Sequence, residues 1–269
     1  MIMSHFVKKQ HNGVVFRTAD TLSSPHAFST RLGGVSAGRL SSLNLSVRRG
    51  DSAENVRENW RRLGEAAGMD LSEVVYARQI HSRIVPIVTR ADAQSPWLEP
   101  RMECDGFVTA EPGLPVAIFV ADCIPVLLED PAHGVVAAVH CGWRGSVQDI
   151  LGAALSQMRS LGARPEDVSA AIGPGIGACC FEVGPEVAEG VDALLGGNTA
   201  GLIRPGAGDR LFVDLKAANA RRLQQLGVKP ERIAVSDACT MCDPEELWSH
   251  RVTNGKRGVM TAVIALRAD

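Results

Sequence analysis

The sequence predicts one domain of mixed strands and helices, and three observations carry that expectation. Two short apolar runs, one following Cys123 as far as Glu129 and one from Val135 to Val139, are separated by the turn residues Asp130 and Pro131. Short β-branched runs bounded by turn residues predict two buried strands. A helical stripe of Val147, Ile150, Leu151, Ala154, Leu155, Met158 and Leu161 follows and ends at Gly162, where a glycine favours a helix stop. Finally, 269 residues with 45% hydrophobic content supply ample core, and no linker divides them, so residues 1–269 are read as a single unit.

The remaining elements follow in order. Val14-Val15-Phe16 and Ala27-Phe28-Ser29 predict strands. Gly34-Val35-Ser36-Ala37-Gly38 matches the G-x-S-x-G of a hydrolase nucleophile elbow. That motif requires a helix at once, and Arg39-Leu40-Ser41-Ser42-Leu43-Asn44 is not helical in pattern, which excludes a serine hydrolase. Val56, Trp60, Leu63 and Ala67 share one helical face behind an N-cap at Asp51 or Ser52. The Arg48-Arg49 pair before that helix could meet an anion or stand solvated. Val74 to Ala77 and Ile84 to Val88 predict strands flanking Gln79-Ile80-His81-Ser82. Residues 91–103, with Pro96 and Pro100, predict a surface loop before the sheet resumes over Cys104 to Thr109. Strands at Val168 to Ile172, Ile233 to Val235 and Val259 to Leu266, and a helix from Leu215 to Leu226 capped by Asp214, complete the pattern. The glycines between Gly173 and Gly184 do not fit G-x-G-x-x-G, so no dinucleotide site is indicated.

Composition excludes several functions. A net charge of −2 with scattered Lys and Arg gives no field for nucleic acid. Met1 to Lys9 contains no apolar core of signal-peptide length, and no segment is long and apolar enough to span a membrane, so a cytoplasmic protein is expected. The seven cysteines are then expected as free thiols or metal ligands.

In an antiparallel pair, Cys123 opening one strand and His140 closing the other meet at the same end of the sheet. With His81 they make two imidazoles and a thiolate without a fourth protein ligand. Zinc held by three protein ligands keeps an open position, the pattern of a catalytic rather than a structural site. The rival chemistry makes Cys123 a nucleophile and His140 its base, and spacing does not separate the two. The helix expected after Trp143-Arg144-Gly145 would bring free amides and a guanidinium beside His140, a phosphate site in prospect; an arginine paired with a core carboxylate is the alternative. Cys239-Thr240-Met241-Cys242 supplies only two of the four ligands of a structural zinc. Cys179 and Cys180 could complete the set, but adjacent cysteines seldom chelate one tetrahedral ion, so these are expected as ordinary thiols. The H-x-E and P-C-x-x-C signature of nucleobase deaminases is absent.

Several motifs occur in order: Thr30-Arg31 with Gly33-Gly34, Leu43-Asn44-Leu45, Gln79-Ile80-His81-Ser82, Asp105-Gly106-Phe107-Val108-Thr109, Ala121-Asp122-Cys123, His140 with Gly142-Trp143-Arg144-Gly145, the Ile172 to Gly184 loop, and Cys239-Thr240. Together they resemble the laccase-domain family, also called polyphenol oxidase or peptidoglycan editing factor, across almost the whole chain. The resemblance implies an α+β fold, a single domain of layered mixed β-sheets flanked by helices like the cytotoxic-necrotizing-factor cysteine hydrolases. It implies one Zn2+ on His81, Cys123 and His140, with the same three residues as the catalytic set. It implies a purine nucleoside phosphorylase acting on adenosine, inosine and methylthioadenosine, with adenosine deaminase activity. A cysteine-type amidase that edits serine-containing peptidoglycan precursors and a copper-dependent polyphenol oxidase are alternatives attached to the same family. Arg31, Asn44, Arg48 and Arg144 are the candidate substrate-binding residues, Arg48 and Arg144 as anion binders. The expected partners are purine nucleosides and phosphate, with no nucleic acid and no membrane, in a monomer or homodimer. Cys141, Gly175, Ala178 and His250 depart from the family's usual Ala, Cys, Pro and Tyr, which bears on the shape of the pocket.

A multicopper oxidase needs many histidines, commonly in H-x-H pairs, and this chain has seven and no such pair. Zinc is therefore the expected metal. Cu2+ can occupy the same ligands in vitro because it binds nitrogen and sulfur donors more tightly than zinc does.

Overall fold

Period-two alternation along the central strands sorts their side chains between two apolar layers. The computed structural model describes residues 6–268. One sheet has the order β1 (Phe6–His11), β2 (Val14–Ala19), β3 (His26–Ser29), β13 (Met260–Ile264) and β5 (Val116–Val120), all antiparallel. The second has the order β12 (Ile233–Val235), β8 (Ser169–Ile172), β6 (Ile124–Asp130), β7 (Val135–Cys141) and β4 (Gly106–Thr109), with β12 parallel to β8 and the rest antiparallel. A small third sheet joins β10 (Ile203–Pro205), β11 (Leu211–Val213) and β9 (Glu182–Val183).

Along β6, Val126 and Leu128 face a core shared with α3 (Ile150–Ser160), α4 (Pro185–Leu195) and α5 (Leu215–Gln225). Leu127 points the other way, into the layer between the two large sheets. On β7, Val135, Ala137, Val139 and Cys141 join the helical side while Val136 and Ala138 join the inter-sheet side. Burial on both faces is why these strands read as continuous apolar runs. The outer face of the first sheet packs Phe16, Ala117 and Val263 against Val56, Trp60 and Leu63 of α1 (Ala53–Ala67). The order is helix, sheet, sheet, helices, and among the described residues no helix is long and apolar enough to cross a membrane.

Ser52 caps α1 by accepting from the Asn55 amide, and Asp214 caps α5 by accepting from the Ala217 amide. Three expectations need correction. The stripe from Val147 to Leu161 is two helices, α2 (Trp143–Val147) and α3, because Asp149 takes a left-handed backbone (φ 63°) and turns its own carboxylate to the Gly152 amide. Val74 to Ala77 and Ile84 to Val88 form isolated bridges rather than ladders, and in the second run Pro86 has no amide to donate. The reading of the N-terminus falls partly on Met1 to His5, outside the described residues. The strand β1 went unread because most of its residues are exposed and polar, leaving no apolar alternation to detect.

Candidate active site

The pairing of β6 with β7 places Pro125 opposite His140 and Ile124 opposite Cys141. Cys123, just before β6, therefore stands at the same sheet end as His140, as the antiparallel expectation required. His140 is the alternate residue to Val139 and Cys141, so it points to the inter-sheet side, where Cys123 also packs. His81 arrives from the loop before β4 with a left-handed backbone (φ 58°). One donor atom from each of His81, Cys123 and His140 lies within 4.8 Å of the others, and the His81 and His140 rings meet edge to face at 5.0 Å between centroids. Burial runs from exposed His81 through Cys123 to fully enclosed His140.

Asp105 organises this cluster. Its buried carboxylate accepts from the backbone amides of Ile80, His81 and Ser82 at 3.2, 3.0 and 2.6 Å and from the Ser82 hydroxyl at 2.7 Å. It also accepts from Nδ1 of His140 at 2.9 Å. One carboxylate thus holds the His81 loop in its strained turn and fixes the ring of His140, whose other nitrogen is left for a ligand. Burial works against the carboxylate's charge, but the donors from His140 and Ser82 hold it at about 2. Burial likewise works against a charged His140, yet the Cys123 sulfur and the Asp105 carboxylate lift it to about 9. His81 is lowered by burial and by the neighbouring His140.

Close approach at Gly142 completes the cluster. A Cβ there would lie 2.7 Å from Nδ1 of His81 and 3.3 Å from Sγ of Cys123, so only glycine lets the start of α2 pass beneath them. On the other side, Asp122 (φ 83°) is held by the Thr240 hydroxyl at 2.5 Å and the Arg251 amide at 2.8 Å. Backbone strain of this kind costs on the order of 1–3 kcal/mol and persists where surrounding bonds enforce it.

The cluster forms part of the lining of a cavity of about 360 Å3, with Arg48, Arg49, Tyr76, Phe119, Leu98 and Arg257 among the other lining residues. Arg257 is buried, donates to the Gly258 carbonyl at 2.9 Å, and has an Nε with no partner. Burial and the neighbouring Arg49 lower it to about 10. Arg48 lies 3.7 Å from Glu99 in an exposed pair.

The substrate candidates from the sequence divide. Arg48 lines the cavity. Arg31 does not; it donates to the Ser41 and Pro244 carbonyls and stacks 3.9 Å over Trp248. Asn44 is fully buried and structural, donating to Asp51 at 2.9 Å and accepting from the Val259 amide. Arg144 is exposed and stacks over the Trp143 ring at 4.5 Å, outside the cavity lining. The helix start expected beside His140 is that of the five-residue α2, whose N-cap Gly142 lies against His81 and Cys123 and carries no side-chain cap, while α3 behind it is capped by its own Asp149, paired with Arg222 at 2.6 Å. Arg257 and Asp105 escaped the sequence reading as site residues, whereas Arg49, read there with Arg48 as a pair that could meet an anion, does line the cavity. Asp105 carried a signal, its place in a motif between the histidines, whereas Arg257 carried none.

The thiols Cys179, Cys180, Cys239 and Cys242 were expected to be ordinary. Instead their four sulfurs converge within 4.8 Å of one another, a correction that follows from a turn at residues 178–180 absent from any spacing rule.

The sequence model of the family described as multi-copper polyphenol oxidoreductase laccase matches residues 25–267. This chain belongs to that family. The chain is 41% identical over 254 residues to a protein of Deinococcus radiodurans named purine nucleoside phosphorylase, covering 94% of each. It is 36% identical to a purine nucleoside phosphorylase of Corynebacterium glutamicum, over 89% of this chain and 93% of the relative. Among solved structures it resembles YlmD from Geobacillus stearothermophilus with a TM-score of 0.89 and 32% identity, over 98% of this chain and all of that one. The fold of layered sheets and helices is therefore the family's, and family members of this name support an enzyme here.

Proposed function

We propose that the protein is a zinc-dependent purine nucleoside phosphorylase acting on adenosine, inosine and methylthioadenosine, with adenosine deaminase as a second activity. The observation that carries this reading is the cavity itself, where two imidazoles and a thiol share the lining with four arginines, Arg48, Arg49, Arg78 and Arg257. Among them, Arg257 presents a buried Nε without a partner. The donor set fits zinc: one sulfur and two imidazoles within reach of one ion, Asp105 orienting one imidazole, and a glycine leaving space beside the other. A zinc ion held there supplies Lewis-acid charge next to the reacting substrate. Cu2+ is a competing occupant of the same donors in vitro.

In phosphorolysis a phosphate oxygen bonds to C1′ of the ribose while the C1′–N9 bond breaks. The bonding pair leaves with the purine, which takes up a proton. Arg48, Arg49 and Arg257 offer the phosphate dianion charge-assisted hydrogen bonds in a partly desolvated wall. Tyr76 and Phe119, packed edge to face with ring centroids 5.9 Å apart, and Leu98 give the lining an apolar patch against which a purine can pack. Arg144, nominated from the sequence for the anion, is exposed and lies outside the cavity lining.

One observation favours a second reading, the cysteine-type amidase. Asp105, His140 and Cys123 stand in the order of orienting acid, base and nucleophile. Such a relay has no use for His81, whereas a metal does. Incubation of the zinc-loaded protein with adenosine, with and without phosphate, tests the choice by product chromatography. Adenine and ribose 1-phosphate are expected only with phosphate, and inosine independently of it. Intact nucleosides together with cleavage of a serine-bearing muramyl precursor would replace the phosphorylase with the amidase.

A further inference from the structure

We infer that Cys179, Cys180, Cys239 and Cys242 form a second metal site, a closed tetrathiolate that binds a structural zinc ion and is independent of the nucleoside reading. Four sulfurs each about 2.3 Å from one zinc stand about 3.8 Å apart. Here Cys242 Sγ lies 3.5 Å from Cys179 Sγ and 3.4 Å from Cys180 Sγ, and all four sulfurs fall within 4.8 Å. No protein oxygen or nitrogen ligand is needed to complete the shell, and a four-sulfur set selects zinc or iron over harder ions.

Adjacent cysteines serve because they lie in a turn rather than a strand. The amides of Cys180 and Phe181 both donate to the Gly177 carbonyl at 2.9 Å. In helical turns successive Cβ atoms diverge by about 100° instead of the opposite directions of a strand, so both sulfurs reach one side. The partner pair sits in its own turn, with the amides of Cys242 and Asp243 donating to the Cys239 carbonyl at 3.1 Å. A parallel bridge between Gly175 and Cys239 pins the two loops together.

Two surroundings are those of a thiolate cluster rather than of four idle thiols. The Gly177 amide donates to Cys239 Sγ at 3.1 Å, as backbone amides do where they orient and neutralise a coordinating sulfur. A Cβ at Gly177 would sit 3.1 Å from Cys239 Cβ and 3.2 Å from Cys179 Sγ, so glycine keeps this cradle open. Zinc with four thiolates carries a net charge near −2, and cations stand around it. Buried Lys216 donates to the Ser236 and Ala238 carbonyls at 2.9 and 2.6 Å, ahead of Cys239. Arg204 donates to the Ala178 carbonyl at 2.9 Å, and Arg251 to those of Cys180 and Glu182 at 3.0 and 2.9 Å.

The ion would clamp both loops against the segment that presents Cys123. The Ile176 amide donates to the Asp122 carbonyl at 2.8 Å, and the Thr240 hydroxyl holds the Asp122 carboxylate. The site's role is then to hold shape, not to meet substrate.

Protein purified under reductant with zinc in the medium should carry about two zinc ions per chain by elemental mass spectrometry. Cys242→Ser and His81→Ala should each lose about one, and different ones. A wild-type zinc count that Cys242→Ser leaves unchanged overturns the inference. Because Cys242→Ser could misfold, Cys123→Ala protein with the tetrathiolate intact is also stripped and refilled with Co2+. Intense sulfur-to-cobalt charge-transfer bands with strong tetrahedral visible bands support the site, and their absence overturns it. Thiol titration of the Cys123→Ala protein gives a third readout: four thiols that react only after chelation support the site. A disulfide between Cys242 and Cys179 or Cys180 under these conditions overturns it.

Discussion

The two clusters of soft ligands in this molecule differ in what surrounds them more than in what composes them. His81, Cys123 and His140 face a cavity, and their second sphere is one buried carboxylate, Asp105, that fixes orientation. Cys179, Cys180, Cys239 and Cys242 face one another, and their second sphere is backbone amide and cations that balance charge. Three ligands beside an open space suit chemistry, while four in a closed shell suit architecture. The contrast teaches that ligand count alone is a poor guide to role; the polar groups behind the ligands and the space before them decide it.

The largest effect that would break the comparison is at Cys123. Cys123→Ala should abolish turnover, a loss of roughly a hundred-fold or more, while the protein keeps about one zinc ion in the four-cysteine shell. Elemental analysis and nucleoside assays on the same sample read both halves. Retained activity would show that the open cluster is not the reacting centre.

Next in size is the carboxylate that orients the open cluster. Replacement of a residue that orients a metal ligand typically costs 10–100-fold in metal affinity, and Asp105→Asn should show a loss of about that size at the cavity, measured by zinc competition with a chromogenic chelator. The same substitution should leave the four-cysteine zinc untouched. Equal losses at both clusters would mean that Asp105 supports the fold at large instead of one site.

How much of this was legible in the sequence depends on how local each feature is. Cys123 and His140 could be placed together because a short turn at Asp130 and Pro131 forces antiparallel pairing, and the observed register puts Pro125 opposite His140. The caps at Ser52 and Asp214 were legible for the same reason, since N-cap chemistry is spent within three residues. Asp149 defeated the single-helix reading because its side chain offers the backbone a local alternative to the helix, one that apolar periodicity does not register. Arg257 was invisible: it lies just before β13 at the far end of the chain and reaches the cavity only through the sheet order β3-β13-β5. The convergence of the four sulfurs was not legible because the adjacency of Cys179 and Cys180 was counted against a shared site, whereas residues 178–180 form a turn that brings both near Cys239 and Cys242.

A smaller effect sharpens the contrast between the cavity wall and the exposed face beside it. A charge-assisted hydrogen bond contributes about 1.5–3 kcal/mol, so Arg257→Gln should raise the KM for phosphate by about ten-fold or more, with deamination much less affected. Steady-state kinetics with phosphate varied at saturating adenosine measure it. An unchanged phosphate KM would remove the guanidinium cluster from the anion site.

The smallest effect belongs to Arg144, the residue that sequence alone nominated for the anion. Its guanidinium stacks on Trp143 in an exposed position outside the cavity lining. An exposed cation of this kind acts on a bound anion only through screened long-range attraction, which salt suppresses over about 8–10 Å. Arg144→Ala should therefore change the phosphate KM by less than about two-fold at physiological ionic strength, and that difference should shrink as salt is raised. The two arginine variants measured side by side decide which end of the site meets the anion. A larger loss in Arg144→Ala than in Arg257→Gln would return the phosphate to the Trp143-Arg144-Gly145 turn and leave the buried Nε of Arg257 without a function.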